Sequence, residues 1–248
     1  MARYYPTEDT YLNIARGLVK DTTSIHKFGA VPEMSNGTTG TIWDVNDTAY
    51  PWSAFDTANT VSIATTASNG STVTTDSGLS VTVVGLDENY QDVSETLTIS
   101  GSTATGSQLF SRVFRAFAID GSTNTSQIRM SVNATEVARI NIGLAQTLMS
   151  VYTIPAGYIG YLTQGIASIE SGGDATINMF IRYFGQQSFR VGHSGEVVGT
   201  GGPYNYKFTV PIAIPEKSDI DVEATVRSNN SRVTAAFDIV LIKNPIGS

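Results

Sequence analysis

Short runs in which apolar and polar residues alternate recur along most of this chain, and they constrain its fold more than any other feature. The first of them lie between residues 56 and 145 and read TVSIATTA, LSVTVVGL and ETLTISG. A period of two places every second side chain on one face, so each run predicts a strand with one buried and one exposed face. Abundant Gly, Ser and Thr and a charged fraction of 15% favour many short strands joined by turns. The chain is therefore predicted to be all-β.

A second and denser series of such runs begins at Gln146. Its members are TLMSVYTI, YIGYLTQGIASI, ATINMFIRYF, QSFRVGHS, YNYKFTVPIAI, SDIDVEATVRS and RVTAAFDIVLI. Strands separated by turns every ~8–12 residues are typical of antiparallel sandwiches of the Greek-key or jelly-roll kind. Between the first two runs, Pro155 and Gly157 predict a tight reversal. We therefore expect two β-sandwich domains, at residues 56–145 and 146–248.

Residues 1–55 lack this alternation and are predicted to form an irregular N-terminal arm. The stretch TEDTYLNIARGL predicts one short helix, with Thr7 as its N-cap and Gly17 as its stop. The segment after it scatters large aromatic side chains among Gly, Pro, Asn and Asp without a regular period. Such side chains need a surface that buries them, either the following domain or a neighbouring subunit. The predicted contact residues of the arm are Phe28, Trp43, Tyr50, Trp52 and Phe55.

The charge and the absence of cysteine exclude several classes of function. A formal net charge of -7 repels phosphate, whose contacts dominate nucleic-acid affinity, so nucleic acid is not an expected partner. Without cysteine there is no disulfide, thiolate nucleophile or zinc–thiolate site. The first residues lack the apolar core of a signal peptide, and no stretch reaches the ~18 apolar residues of a membrane span. We expect a protein made in the cytoplasm, with no membrane partner.

No residue pattern predicts a catalytic, cofactor or metal site. His26 and His193 stand far apart in the chain, and no cysteine or second histidine accompanies either, which favours loop or surface positions. No serine lies in a G-x-S-x-G elbow, so a hydrolase triad has no anchor. Asp44 and Asp47 fall in a loop that lacks the further oxygen ligands of an EF-hand. The sequence predicts a protein that is not an enzyme.

Two weaker patterns remain as candidates. Asp219 and Asp221 alternate on one face of a predicted strand and could be half of a glycosidase pair, but a solvent-facing row explains them equally well. Tyr204, Tyr206 and Phe208 alternate along another strand. They form a sugar-stacking ridge, an oligomer contact or a packed face.

Five stretches together carry a resemblance to a known family, in an order that spans most of the chain. They are KFGAVPEMSNGTTGTIWDVNDTAYPW, VVGLDENYQDVSETLTISG, LFSRVFRAFAIDGSTN, QTLMSVYTIPAGYIGYL and IPEKSDIDVEATVRSNNSRVTAAFDIVLI. With these stretches the chain resembles virion structural proteins of tailed bacteriophages, especially marine ones. The resemblance implies a non-enzymatic component of the particle that is built from β-sandwich modules.

What the resemblance implies about the role is a head decoration, or cement, protein. Such a protein stabilises the phage head by binding the major capsid protein or another virion protein, commonly as a homotrimer, and residues 1–55 are then expected to make the main contact. The alternative is a host-recognition module of a tail or head fibre that binds surface carbohydrate through loops and through Tyr204 and Tyr206. A third class is a polysaccharide-cleaving enzyme that uses Asp219 or Asp221.

Overall fold

Antiparallel strands dominate the chain, as the alternating runs predict. The structure is a computed structural model and describes residues 9–119 and 123–244. Within these ranges the chain forms one α-helix, one 3-10 turn and sixteen strands. The helix is α1 (Thr10–Ala15), the 3-10 turn spans Trp52–Phe55, and the strands are β1 (Thr22–Met34), β2 (Thr39–Thr41), β3 (Ser62–Thr66), β4 (Ser80–Leu86), β5 (Asp92–Thr98), β6 (Thr103–Thr105), β7 (Arg112–Ala118), β8 (Gln127–Val132), β9 (Thr135–Ile140), β10 (Val151–Thr153), β11 (Tyr158–Ile169), β12 (Asp174–Arg182), β13 (Arg190–Val198), β14 (Tyr204–Ile214), β15 (Asp219–Ser228) and β16 (Ser231–Lys243). The prediction of an all-β fold is confirmed.

The strands form four antiparallel sheets. Sheet I has the order β1-β16-β11-β14, and sheet II has the order β10-β15-β12-β13, with β2 also paired to β15. Sheet III has the order β6-β3-β8-β9, and sheet IV has the order β5-β4-β7. Sheets III and IV come from residues 62–140, whereas sheets I and II are assembled from segments on both sides of that stretch. Sheets I and II make up the first β unit, and sheets III and IV make up the second. The chain thus starts the first β unit, builds the second, and returns to complete the first.

The structure corrects the prediction that residues 1–55 form an irregular arm. Thirteen of these residues form β1, an edge strand of sheet I that pairs with β16, the last described strand. Lys27, Gly29 and Pro32 interrupt the alternation of β1, so its sequence carries no clear strand signal. Gly29 is needed because a Cβ there would lie 2.1 Å from the carbonyl oxygen of Ile42. Pairing with the far end of the chain, rather than local preference, therefore makes this segment a strand.

The short helix is present, with a different cap. α1 begins after Asp9, whose side chain accepts a hydrogen bond from the N–H of Leu12 at 3.1 Å. The predicted cap, Thr7, lies outside the described residues. Gly17, the predicted stop, has a φ of +69°, a left-handed conformation that glycine adopts readily.

One contiguous hydrophobic cluster holds the four sheets together. Its fully buried side chains include Trp43 beyond β2, Phe110 before β7 and Phe237 in β16. Two jelly-roll sandwiches with separate cores are the sequence-based expectation, and the structure agrees with it only in part: four small sheets surround a shared cluster. The segment between β2 and β3 is the reason, because its aromatic side chains insert between the two β units.

Two edge strands of sheets I and II, β14 and β13, are irregular. β14 is the last strand of sheet I, and residues 208–211 of it bulge opposite a single residue of β11, Thr163. β13 is the last strand of sheet II and its register with β12 shifts at Gly192. Bulges of this kind hinder the pairing of an edge with another strand. Val210, at the β14 bulge, is 78% exposed.

Candidate functional site

The aromatic side chains predicted for partner contact lie mostly inside the chain. Trp43, Tyr50 and Phe55 are buried, with exposed fractions of 1%, 3% and 4%. The Tyr50 ring packs edge-on against Trp43 and Trp52, with ring centroids 5.2 Å and 4.8 Å away. The Tyr50 hydroxyl donates to the carbonyl oxygen of Val113 in sheet IV at 2.8 Å. The chain's own core therefore buries Trp43, Tyr50 and Phe55, and they offer no surface to a neighbouring subunit.

Trp52 joins the same junction to sheet II and is half-buried. Its Nε1 donates to the carboxylate of Asp221 at 2.8 Å, and Thr41 donates to the other oxygen of Asp221 at 2.9 Å. Asp221 is 2% exposed. Burial raises the pKa of Asp221 to about 7, against the opposing effect of these two hydrogen bonds.

Asp219, two residues earlier in β15, is the centre of a buried ionic clamp. Its carboxylate accepts hydrogen bonds from Nε and Nη2 of Arg112 at 2.7 Å and 3.0 Å, and from Nε and Nη2 of Arg182 at 3.0 Å and 2.6 Å. The hydroxyl of Thr153 donates a fifth bond at 2.7 Å. Both guanidinium groups also lie over the Trp52 ring, at 5.6 Å and 5.5 Å from its centroid. Because Arg112 belongs to β7 and Asp219 to β15, the clamp ties the two β units together.

Asp219 and Asp221 of β15 therefore make structural contacts. Asp219 lies at a cavity of about 250 Å³ at the unit junction, but five donors already occupy its two oxygens. Asp221 is buried among Trp52, Thr41 and Asp219. A glycosidase needs one carboxyl group free to protonate the leaving group and another free to attack or to activate water. The hydrogen bonds of Asp219 and Asp221 leave neither carboxyl group free for either role.

The Asp44 side chain is buried against the backbone of the segment before β10. One Asp44 oxygen accepts from the N–H of Leu148 at 3.1 Å, and its Oδ1 has no partner among the described residues. Burial raises the pKa of Asp44 to about 8. Asn46 accepts from the N–H and the hydroxyl of Thr48. Within residues 9–119 and 123–244, no group of three or more His, Asp or Glu side chains is placed to hold a metal ion.

The aromatic row of β14 is a packed seam between two edge strands. Tyr204, Tyr206 and Phe208 share one face of β14, and His193 of β13 lies against all three rings, with centroids 4.5–6.0 Å away. His193 Nε2 and the Tyr204 hydroxyl form a hydrogen bond of 2.8 Å. Gly195 makes room for this packing, since a Cβ there would lie 2.5 Å from Tyr204 Cζ. Burial against these rings lowers the pKa of His193. Of the three interpretations open from the sequence, a packed face fits Tyr204 best.

The outer face of sheet I carries an apolar trough along β16. Residues of β16 alternate here, so that Val233, Ala235 and Phe237 are buried while Thr234 and Ala236 face outward. The small Ala236 is paired with two larger residues, Phe28 of β1 and Ile166 of β11. The resulting depression has a volume of about 300 Å³. Phe28, one of the predicted contact residues, therefore lines a surface that a partner can reach.

The trough continues to the junction of the two β units. A second depression of about 500 Å³ shares Ala30, Leu148 and Arg232 with the first and adds Ile142 and Leu144. Ile142, Leu144 and Ile166 are 45%, 43% and 42% exposed. We use the term apolar trough for the surface formed by Phe28, Ala30, Ile142, Leu144, Leu148, Ile166, Arg232, Thr234 and Ala236.

The other end of the same sheet face is polar. His26, Asp238, Gln164 and Lys207 are paired in register across β1, β16, β11 and β14, and so form one row across sheet I. Asp238 accepts a hydrogen bond from Gln164 and forms a further one with His26 Nδ1. We call this row, with the adjoining cavity of about 410 Å³, the polar pocket.

Neither the apolar trough nor the polar pocket is evident from the sequence, apart from Phe28 and His26. The local signal was Gln164 and Asp238, two polar residues within the apolar runs YLTQGIASI and AAFDIVLI. A polar residue on the outward face of a strand looks ordinary in isolation. Only the register of the four strands shows that these two side chains meet His26 and each other.

Comparison with known proteins provides little further information. No protein-family model matches the chain, and no curated protein does. Among solved structures, the chain is similar to one titled "Structure of infectious bursal disease virus Gx strain", with a TM-score of 0.27, 10% identity, and coverage of 91% of this chain and 71% of that one. A second, of the Gt strain of the same virus, has a TM-score of 0.18, 10% identity, and coverage of 90% and 80%. TM-scores this low carry no argument about fold or function. The described part of the chain also contains no helix with the length and apolar character needed to cross a membrane.

Proposed function

We propose that this protein is a non-enzymatic structural component of a phage virion, and that it decorates the capsid through protein–protein contacts. The observation that carries the proposal is the apolar trough, in which three exposed apolar residues, Ile142, Leu144 and Ile166, share one surface. Contiguous exposed apolar surface of this kind favours a protein-binding role. The resemblance of the sequence to virion structural proteins of tailed phages supports the particle as its setting.

The proposed partner is the major capsid protein, or another virion protein of the head, with this chain acting as a homo-oligomer and most simply a trimer. The trough replaces the N-terminal arm as the proposed contact surface, because Trp43, Tyr50 and Phe55 are buried and Phe28 alone of the five predicted contact residues lines the trough. Repetition of one modest contact around a shell multiplies the total hold on the particle. Decoration therefore requires no single contact of high affinity.

Binding to purified heads that lack this protein tests the proposal. Ile166→Glu places a charge in the trough, and we expect it to weaken head binding at least about tenfold, which corresponds to about 1.4 kcal/mol. Val210→Glu is the matched control, because Val210 is more exposed than Ile166 but lies on the β14 bulge, outside the trough. Equal binding by the two variants would contradict the trough as the contact surface. Quantification in purified virions is the second test: decoration requires a copy number comparable to that of the major capsid protein.

The alternatives have less support from the geometry of their residues. Host recognition through Tyr204 and Tyr206 requires a free aromatic ridge, whereas Tyr204 packs on His193 and Gly195. We propose no catalytic role for Asp219, because five donors occupy its carboxylate.

A further inference from the structure

We propose that the polar pocket on sheet I is a binding site for a saccharide. The site adjoins the apolar trough on the same face of sheet I, where the ring centroids of His26 and Phe28 lie 5.7 Å apart, and it lies outside the aromatic seam of β14. The inference concerns the isolated chain. The proposal therefore does not rest on the role in the particle.

The polar side of the pocket is already organised. Asp238 holds His26 on one side and Gln164 on the other, and these bonds orient all three planar groups across neighbouring strands. The bond to Asp238 engages Nδ1 of His26, which leaves Nε2 without a partner among the described residues. Lys207 completes the row from β14. The row thus combines a carboxylate, an amide, an imidazole and an ammonium group, which together donate and accept hydrogen bonds over a short distance.

The other side of the pocket is apolar and partly aromatic. Helix α1 contributes Tyr11, which is 51% exposed, and Ile14, and the sheet contributes Ile25 and Val240. A pyranose ring combines a face of C–H groups with a rim of hydroxyl groups that both donate and accept. An aromatic side chain beside a preorganised polar row matches that combination. The cavity, about 410 Å³, also lies within the usual ~300–1,000 Å³ of small-molecule sites.

Other ligand classes fit the pocket less well. A peptide strand would need a free strand edge for its backbone, whereas Asp238 and Gln164 lie on the two central strands of sheet I. A phosphate group would meet the carboxylate of Asp238 in the middle of the row. A metal ion would need further ligands, because His26 and Asp238 are the only groups of the row that commonly bind one.

The proposal is tested with the full chain on a glycan array that carries neutral hexose, N-acetylhexosamine and uronic acid oligosaccharides, followed by calorimetry with each oligosaccharide that binds. We expect saturable binding, and a loss of at least about tenfold in affinity for Tyr11→Ala and for Asp238→Asn. Tyr206→Ala is the matched control, because Tyr206 is also a partly exposed tyrosine but belongs to the aromatic seam. Its affinity should equal that of the unchanged chain.

Two results would overturn the proposal. One is the absence of saturable binding to every oligosaccharide on the array. The other is binding that survives Tyr11→Ala, in particular binding that Tyr206→Ala abolishes, which would place the sugar on the aromatic seam. Tyr11 lies on an exposed face of α1, so Tyr11→Ala should leave the thermal unfolding temperature of the chain nearly unchanged. The test therefore stays valid even if Asp238→Asn unfolds the chain.

Discussion

The ionic clamp at Asp219 makes the strongest prediction about stability. Asp219→Asn keeps the size of the side chain and removes its charge, so that Arg112 and Arg182 lose their common counter-ion. The side chains of Asp219 and Arg112 are only 4% and 10% exposed, and that of Arg182 is 22% exposed. Water therefore has little access to compensate the two guanidinium groups.

The expected loss follows from this burial. Removing one partner of a buried ion pair costs about 3–5 kcal/mol, because it leaves an uncompensated charge in the interior. With a urea m-value of about 3 kcal/mol/M, this lowers the urea midpoint of unfolding by about 1–2 M. Glu196→Gln is the matched control: its partner is Arg227, both side chains are about half exposed, and exposed pairs contribute about 0–1 kcal/mol.

Urea unfolding followed by tryptophan fluorescence measures both variants. The chain has two tryptophans, Trp43 and Trp52, and both lie in the junction that the clamp holds together. The emission therefore reports the junction directly. If Asp219→Asn lowers the midpoint no more than Glu196→Gln does, the clamp does not stabilise the junction and the reasoning from burial is wrong.

Two further predictions concern pH and backbone packing. Burial raises the pKa of Asp221 to about 7, so the folded chain keeps a proton that the unfolded chain releases near the ordinary value of 3.8. The stability should therefore fall as the pH rises from 3.8 through about 7. Asp221→Asn should reduce the difference between the urea midpoints at pH 5 and pH 8. An unchanged difference would contradict the assignment. Gly85→Ala should cost at least about 1–3 kcal/mol in thermal unfolding, because its Cβ would lie 1.8 Å from the carbonyl oxygen of Arg112. Gly165→Ala, whose Cβ has no neighbour closer than 3.8 Å, is the control and should change stability little.

Local patterns predicted the strands well where alternation was regular. The run SDIDVEATVRS contains β15, and the run ATINMFIRYF contains most of β12, because apolar residues at every second position give each strand a period of two in the sequence. β1 was missed for the opposite reason. Its side chains do not alternate cleanly, and its pairing partner, β16, lies at the other end of the chain.

The sites show the same division. The aromatic residues of the first 55 positions indicated correctly that they need a surface, but the sequence left open whether that surface is the next domain or another subunit. The structure places Trp43, Tyr50 and Phe55 in the chain's own core. It also places Asp219 in contact with Arg112 and Arg182. The sequence-based hypothesis of a catalytic Asp219–Asp221 pair therefore gives way to an ionic clamp.

By itself, the sequence determined that this protein is built from antiparallel strands joined by turns, since period and turn chemistry are properties of neighbouring residues. Only the tertiary structure decided which strands pair, which aromatic side chains are buried, and that an apolar trough and a polar pocket lie on one face of sheet I. Those features depend on the register between strands that are distant in the chain, and no local pattern encodes a register with a distant partner.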